Sequence, residues 1–133
     1  MTIRHVHETV LYANDVVDAA RFYVDILGLR AVGSIDADGA AFRLPEGDAV
    51  LLLFAPAYAR REGRGVPAHG ADGAGHVAFR VAAGSLDAWS ATLARHGVLV
   101  EMDRTWQRGG RSIYVRDPAG NSVELVDGTI WAA

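Results

Sequence analysis

Ser112-Ile113-Tyr114-Val115-Arg116-Asp117-Pro118-Ala119-Gly120-Asn121-Ser122-Val123-Glu124-Leu125-Val126 is the stretch on which the fold of this 133-residue chain turns. Side chains of a strand point alternately to its two faces. Ile113, Val115, Val123 and Leu125 therefore share an aliphatic face. Ser112, Tyr114, Arg116, Ser122, Glu124 and Val126 share the opposite one. Between the two runs lies Asp117-Pro118-Ala119-Gly120-Asn121, turn chemistry in every residue but one. The pattern predicts two antiparallel strands, 112–116 and 122–126, with Tyr114 brought near Glu124 to within a few residues of register.

Working outward, residues 76–81 alternate in the same way, Val77, Phe79 and Val81 against His76, Ala78 and Arg80. A helix is expected over 85–96, with Ser85 as cap, Leu86, Trp89 and Leu93 on one face, His96 at its end and Gly97 as stop. A strand is expected over 98–102. Residues 103–111 read as a Gly- and Arg-rich loop carrying Trp106. The first half follows the same plan. A strand over 6–13 precedes a helix over 14–27, capped by Asn14 or Asp15 with Asp18 in its first turn. Its apolar stripe is Ala19, Phe22, Tyr23, Ile26 and Leu27, and Gly28 ends it. Strands over 29–35, 40–44 and 49–54 follow, and Pro45-Glu46-Gly47-Asp48 mirrors Pro118-Ala119-Gly120-Asn121. The expectation is an α+β fold in one domain, 1–133: two tandem βαβββ modules, 5–54 and 76–128, forming a curled mixed β-sheet with outer helices. Residues 55–75 separate the copies as a plain linker or a lid; we read a linker, with Arg60, Arg61 and Arg64 solvated and His69 exposed.

Composition narrows the chemistry. Apolar residues make up 50% of the chain, enough for a packed core, and the net charge is −3 with no basic face written into the sequence. That balance argues against nucleic acid as partner. The absence of cysteine excludes thiolate metal sites, Fe–S clusters and cysteine nucleophiles. All 13 basic residues are arginine, which removes Schiff-base chemistry and phosphate-loop lysines, so no organic cofactor is expected. None of the five serines lies in a G-x-S-x-G motif. With no apolar run long enough to span a bilayer and no leader pattern, a soluble, cytoplasmic protein with no membrane partner is expected. Carboxylates, histidines, tyrosines and arginines remain, with whatever metal they hold. An ordinary solvated sheet face would seldom gather His76, Arg80, Ser112, Tyr114, Arg116 and Glu124. A curled sheet would make that face the lining of a cleft.

The repeated unit resembles the vicinal oxygen chelate superfamily, which includes glyoxalase I, extradiol dioxygenases, fosfomycin-resistance enzymes and bleomycin-resistance proteins. The stretches that carry the resemblance are Leu11-Tyr12-Ala13-Asn14-Asp15, Phe22-Tyr23-Val24-Asp25-Ile26-Leu27-Gly28-Leu29, Gly75-His76-Val77-Ala78-Phe79 and Tyr114 through Leu125. It implies a divalent metal held at four matching places, the first and last strand of each module. Carried over, these are His76 and Glu124 in the second module and Glu8, where histidine is usual, in the first. The fourth place falls on Leu51, four residues after Gly47 as Glu124 is after Gly120. A one-residue shift of the first strand would put His7 in place of Glu8; the spacing to Asp15 favours Glu8. His5 lies on the same segment.

Three ligands, Glu8, His76 and Glu124, would leave positions open for a bidentate substrate, and two carboxylates favour Mn²⁺, Mg²⁺ or Fe²⁺, with Zn²⁺ admitted, over Cu²⁺. The alternative is a metal-free cleft in which Glu8 and Glu124 pair with Arg80, Arg111 or Arg116. Tyr114 and Glu124 are the candidate catalytic residues, the phenol as orienter or proton donor. Arg80, Ser112, Arg116 and Trp106 are the candidate substrate contacts. Two functions follow from the resemblance: a metal-dependent lyase, isomerase or dioxygenase acting on a small oxygen-rich molecule, or a non-catalytic binder of the bleomycin-resistance type. Glutathione lyase chemistry is disfavoured by the altered ligand set. A homodimer is expected, with Trp131 a plausible contact.

Overall fold

The first half of the chain forms β1 (Glu8–Tyr12), α1 (Val16–Arg21), β2 (Arg30–Ala31), β3 (Gly39–Arg43), β4 (Val50–Phe54) and α2 (Pro56–Ala59). The second forms β5 (His76–Arg80), α3 (Leu86–Arg95), β6 (Met102–Thr105), β7 (Arg111–Arg116) and β8 (Ser122–Asp127). The computed structural model describes residues 1–132, so Ala133 lies outside it. The chain divides into two compact units, Met1–Gly73 and the residues from Ala74 onward. Each contains one four-stranded mixed sheet, ordered β1-β4-β3-β2 in the first and β5-β8-β7-β6 in the second. The outer pairs β1–β4 and β5–β8 are parallel and the rest antiparallel, so both halves are βαβββ modules as their shared pattern predicts.

In the second unit, alternation does what period two requires. Ile113, Val115, Val123 and Leu125 are buried on the face that also receives Leu86 and Leu93 of α3. Each such leucine contributes about 1.5–3 kcal/mol by leaving water. The β7–β8 turn is held by Asp117: Oδ1 accepts from the amides of Ala119 and Asn121, and Oδ2 from the Asn121 side chain. Asn121 in turn accepts the Gly75 amide at 2.8 Å, which fixes the start of β5 against the end of the turn.

In the first unit, Asp15 caps α1 by accepting the Asp18 amide at 3.0 Å. The helix does not run evenly to Leu27. At Phe22–Ile26 it widens into a π-helical turn, in which the Leu27 amide reaches back to the Phe22 carbonyl at 3.1 Å. Adjacent Phe22 and Tyr23 are both buried at this turn, with Tyr23 against Phe42. Periodicity at 3.6 residues has no signature for such a turn.

Other boundaries moved. The expected strand over 98–102 begins where it was to end, at Met102, so 103–105 belongs to β6 and not to a loop. Ser85 precedes α3 without capping it through its side chain; its hydroxyl donates to the Ala82 carbonyl at 2.6 Å. Residues 55–75 are more than a plain linker. They include α2, and they are tied down by a two-point Arg60–Asp72 ion pair and a His69 amide donating to the Ala59 carbonyl. Arg61 lies 3.7 Å from Asp38, and Arg61 and Arg64 flank the Tyr58 ring.

Candidate functional site

Register places the second unit's polar face. Ala78, Glu124, Tyr114 and Met102 stand abreast across β5, β8, β7 and β6. One step along, His76, Ser122 and Arg116 are abreast; one step the other way, Arg80, Val126, Ser112 and Arg104. All of these side chains project to the same face because they differ by two along each strand.

Glu124 is the hub, with 4% of its surface exposed. Its Oε1 accepts from the Ser112 hydroxyl at 2.6 Å and from the Tyr114 hydroxyl at 3.0 Å. Its Oε2 lies 3.3 Å from His76 Nε2. Ser112, fully buried, is itself oriented by the Trp106 indole, which donates to its oxygen at 2.9 Å. His76 Nδ1 lies 3.1 Å from both the carbonyl and the hydroxyl oxygen of Ser122, and its ring stacks near Tyr114. A buried carboxylate costs several kcal/mol in desolvation unless its oxygens are satisfied, and here both are engaged.

Burial raises the Tyr114 phenol above its ordinary value, and the hydrogen bond and negative charge of Glu124 add to the rise. The phenol therefore stays protonated at neutral pH and donates to Glu124. The two nitrogens of His76 divide the imidazole's work. When Nδ1 donates to the Ser122 carbonyl, a neutral ring turns its Nε2 lone pair toward Glu124 Oε2. In that tautomer the two lone pairs, 3.3 Å apart, face a common space for a cation; in the other, Nδ1 accepts from the Ser122 hydroxyl and Nε2–H donates to Glu124 Oε2. Ligand distances of about 2.1 Å at adjacent coordination positions put donor atoms about 3 Å apart, so this pair fits a divalent cation.

The expected arginine partners of Glu124 are engaged elsewhere. Arg80 donates to the Gly128 carbonyl, Arg111 pairs with Asp103 and Asp87, and Arg116 with Glu101. The metal-free arrangement with an arginine on Glu124 is thus not the one found, and Arg116, a candidate substrate contact, is paired with Glu101. Arg111 pulls the Asp103 carboxyl below its usual range through their hydrogen bond. One residue of this face went unrecognised in the sequence: Arg104, whose guanidinium lies 4.1 Å over the Trp106 ring. Its signal was its place between Met102 and Trp106 at strand spacing, hidden while 103–111 was read as a loop.

The first unit holds different side chains at the same register positions. Glu8 pairs with Val50 as His76 pairs with Ser122, so Glu8 does occupy the matching place. The counterpart of Glu124 is then Leu52, two residues past Val50, and not Leu51. Leu51 is buried on the opposite face. Ala41 stands where the second unit has Tyr114. This face of the first unit thus sets Glu8, Val50, Arg43 and Arg30 abreast, with Leu52 and Ala41 one step along, and at its far end the Tyr12 hydroxyl is hydrogen-bonded to His69 Nδ1. Off the regular strands, exposed His5 Nε2 and His7 Nδ1 lie 2.9 and 3.7 Å from the two carboxylate oxygens of Asp48, a second group of metal-ligand type. No helix among the described residues is long and apolar enough to cross a membrane.

The chain belongs to the Glyoxalase/Bleomycin resistance protein/Dioxygenase superfamily, whose family model matches residues 4–125. Among solved structures it is similar to lactoylglutathione lyase from Agrobacterium tumefaciens, at 35% identity over 100% of both chains with a TM-score of 0.91. A superfamily member from Sphaerobacter thermophilus shares the fold at 23% identity and a TM-score of 0.72, covering 95% of this chain and 98% of that one. A glyoxalase/bleomycin resistance protein/dioxygenase from Nocardioides does so at 21% identity and a TM-score of 0.74, covering 100% and 91%. Members of this superfamily typically depend on a divalent metal and bind small molecules.

Proposed function

We propose that this chain is a divalent-metal-dependent enzyme acting on a small oxygen-rich substrate, with His76 and Glu124 as metal ligands and Tyr114 as the positioned proton donor. The observation that carries the proposal is the facing pair His76 Nε2 and Glu124 Oε2, 3.3 Å apart, on a carboxylate whose other oxygen is held by two hydroxyls. Outer partners of this kind fix ligand orientation, and their loss commonly costs 10–100-fold in metal affinity. A bound divalent ion would supply Lewis-acid polarisation of two neighbouring substrate oxygens. The protein's own part is to hold the Glu124 side chain in place through the Ser112 and Tyr114 hydroxyls and to present a neutral Tyr114 hydroxyl. Ser112 and Trp106 keep that geometry. The donor set suits Mn²⁺, Fe²⁺ or Mg²⁺, then Zn²⁺. Assembly as a homodimer, with exposed Trp131 in the contact, belongs to the same proposal.

The test is elemental analysis of protein purified without a His-tag, followed by Mn²⁺ titration of the wild type and Glu124→Gln. Gln can still accept from Ser112 and Tyr114 and can donate toward His76, so the fold should persist while metal affinity falls by 100-fold or more. Equal Mn²⁺ binding by the two proteins would overturn the assignment. Lactoylglutathione, named in the Agrobacterium relative, is the first substrate to assay. Leu52 and Ala41, apolar where the second unit has Glu124 and Tyr114, favour a second reading, a binder that takes its ligand without metal. Ligand affinity unchanged by chelator, with no turnover, would select it.

A further inference from the structure

Arg104, Trp106, Gln107, Arg108 and Ile130 line a pocket of about 320 Å³ in the second unit. Two guanidinium groups share this concavity, and no carboxylate lines it. Elsewhere in the chain, Arg60, Arg61, Arg111 and Arg116 each meet an aspartate or glutamate within 4 Å. Among the described residues, Arg104 and Arg108 have no such neighbour, in common with the remaining arginines, and these two line one concavity. Like charges gathered without a counterion repel, and an anion entering between them relieves that repulsion. Arg104 Cζ lies over the Trp106 ring, 4.1 Å from its centroid, which limits its freedom before any ligand arrives. The indole is itself fixed, since its N–H donates to Ser112. Ser112 donates onward to Glu124, so the pocket wall is two hydrogen bonds from the candidate metal ligand.

We propose that this pocket is a carboxylate-recognition subsite, and that the substrate is a small organic acid whose carboxylate is received by Arg104 and Arg108. The proposal rests on Glu124 marking the reacting end. A planar guanidinium matches a carboxylate with two parallel hydrogen bonds, which an ammonium cannot do. Gln107 adds a neutral donor at the rim. Only the part of the substrate that reaches the Glu124 network reacts; the carboxylate end fixes its direction.

Benzoate and benzyl alcohol, alike in ring and unlike in charge, are the probes. Each is titrated into metal-free protein while the indole N–H resonances are followed by NMR, Trp106 being identified from its loss in Trp106→Phe. Benzoate should shift the Trp106 signal saturably, benzyl alcohol should not, and Arg104→Gln should weaken benzoate binding about tenfold, the worth of a partly exposed charged hydrogen bond. Glu124→Gln should leave benzoate affinity unchanged or tighter, since it removes a nearby negative charge. Equal responses to both probes, or a wild-type response in Arg104→Gln with an otherwise unchanged spectrum, would overturn the subsite. Because the titration uses no metal, a protein that fails here yet binds Mn²⁺ through Glu124 loses the subsite alone. One that binds benzoate but not Mn²⁺ loses the metal assignment alone.

Discussion

Replacing Ser112 with alanine tests how far the Glu124 network is a single cooperative structure. The side chain is fully buried, donates to Glu124 Oε1 at 2.6 Å and accepts from the Trp106 indole at 2.9 Å. Ser112→Ala removes one oxygen and leaves two groups short. A hydrogen bond to a charged group is worth about 1.5–3 kcal/mol, and a part-buried N–H left without an acceptor adds about 1 kcal/mol. The hydroxyl's own desolvation is recovered, which offsets part of the sum. The expected net loss is about 2–3 kcal/mol in unfolding free energy. With an unfolding entropy of about 2.1 cal/mol/K per residue, this lowers Tm by roughly 7–11 °C for a chain of this length. Urea and thermal unfolding by circular dichroism read both quantities. The same variant should weaken Mn²⁺ binding 10–100-fold, because Glu124 keeps only the Tyr114 hydroxyl on Oε1. A loss below about 0.5 kcal/mol, the scatter of surface substitutions, would refute the idea that Ser112 holds Glu124.

Tyr114→Phe should change the alkaline limb of stability. The folded state raises this phenol's pKa, so it contributes stability that is complete below the ordinary tyrosine value of about 10 and is lost as pH rises through the higher folded value. Wild-type unfolding free energy should therefore fall more steeply above about pH 10 than that of Tyr114→Phe; parallel curves would refute it. Gly110→Ala should destabilise the second unit by about 1–3 kcal/mol. An added Cβ would lie 2.6 Å from Ile130 Cγ2 and 2.8 Å from the Thr129 carbonyl oxygen. Since Ile130 lines the Arg104 pocket, benzoate binding should weaken as well, and unchanged urea unfolding would show that the loop accommodates the methyl group.

The second unit's sheet was legible because β5, β7 and β8 obey one strong rule. β7 and β8 are buried on one face and polar on the other, so their alternation specifies strand, parity and partner together. β6 breaks the rule. Met102-Asp103-Arg104-Thr105 is an exposed edge strand, and its pairing with β7 is written in backbone hydrogen bonds that leave no apolar trace. The apolar run before it, around Val98–Val100, attracted the assignment instead. The π-helical turn at Phe22 was invisible for a related reason: two successive buried aromatics fit an α-helical stripe as well as a widened one. The ordering of 55–75 comes from ion pairs and backbone contacts, which Gly- and Arg-rich composition does not foretell.

The site was legible where a turn fixes register and illegible where it was counted from one. Glu124 and Tyr114 flank a turn whose length sets them directly opposite, and they are found so. Counting from Gly47 by the same interval gave Leu51, one residue from the position that β1 pairing selects, Leu52. In a strand, one residue is the difference between faces: Leu51 packs in the core while Leu52 shares a face with Glu8. The correction sharpens the chemistry. Both candidates are leucine, so the first unit's last strand supplies no ligand under either count. But the corrected pairing also sets Ala41 opposite Leu52 where the second unit sets Tyr114 opposite Glu124. Both members of the pair that would hold a metal and donate a proton are therefore replaced by apolar groups in the first copy. Duplication preserved the sheet, whose stability depends on the buried face, and let the other face diverge. The second unit has the Ser112–Glu124–Tyr114–His76 network on that face, and the first has Glu8, Arg43 and Arg30 beside Leu52 and Ala41.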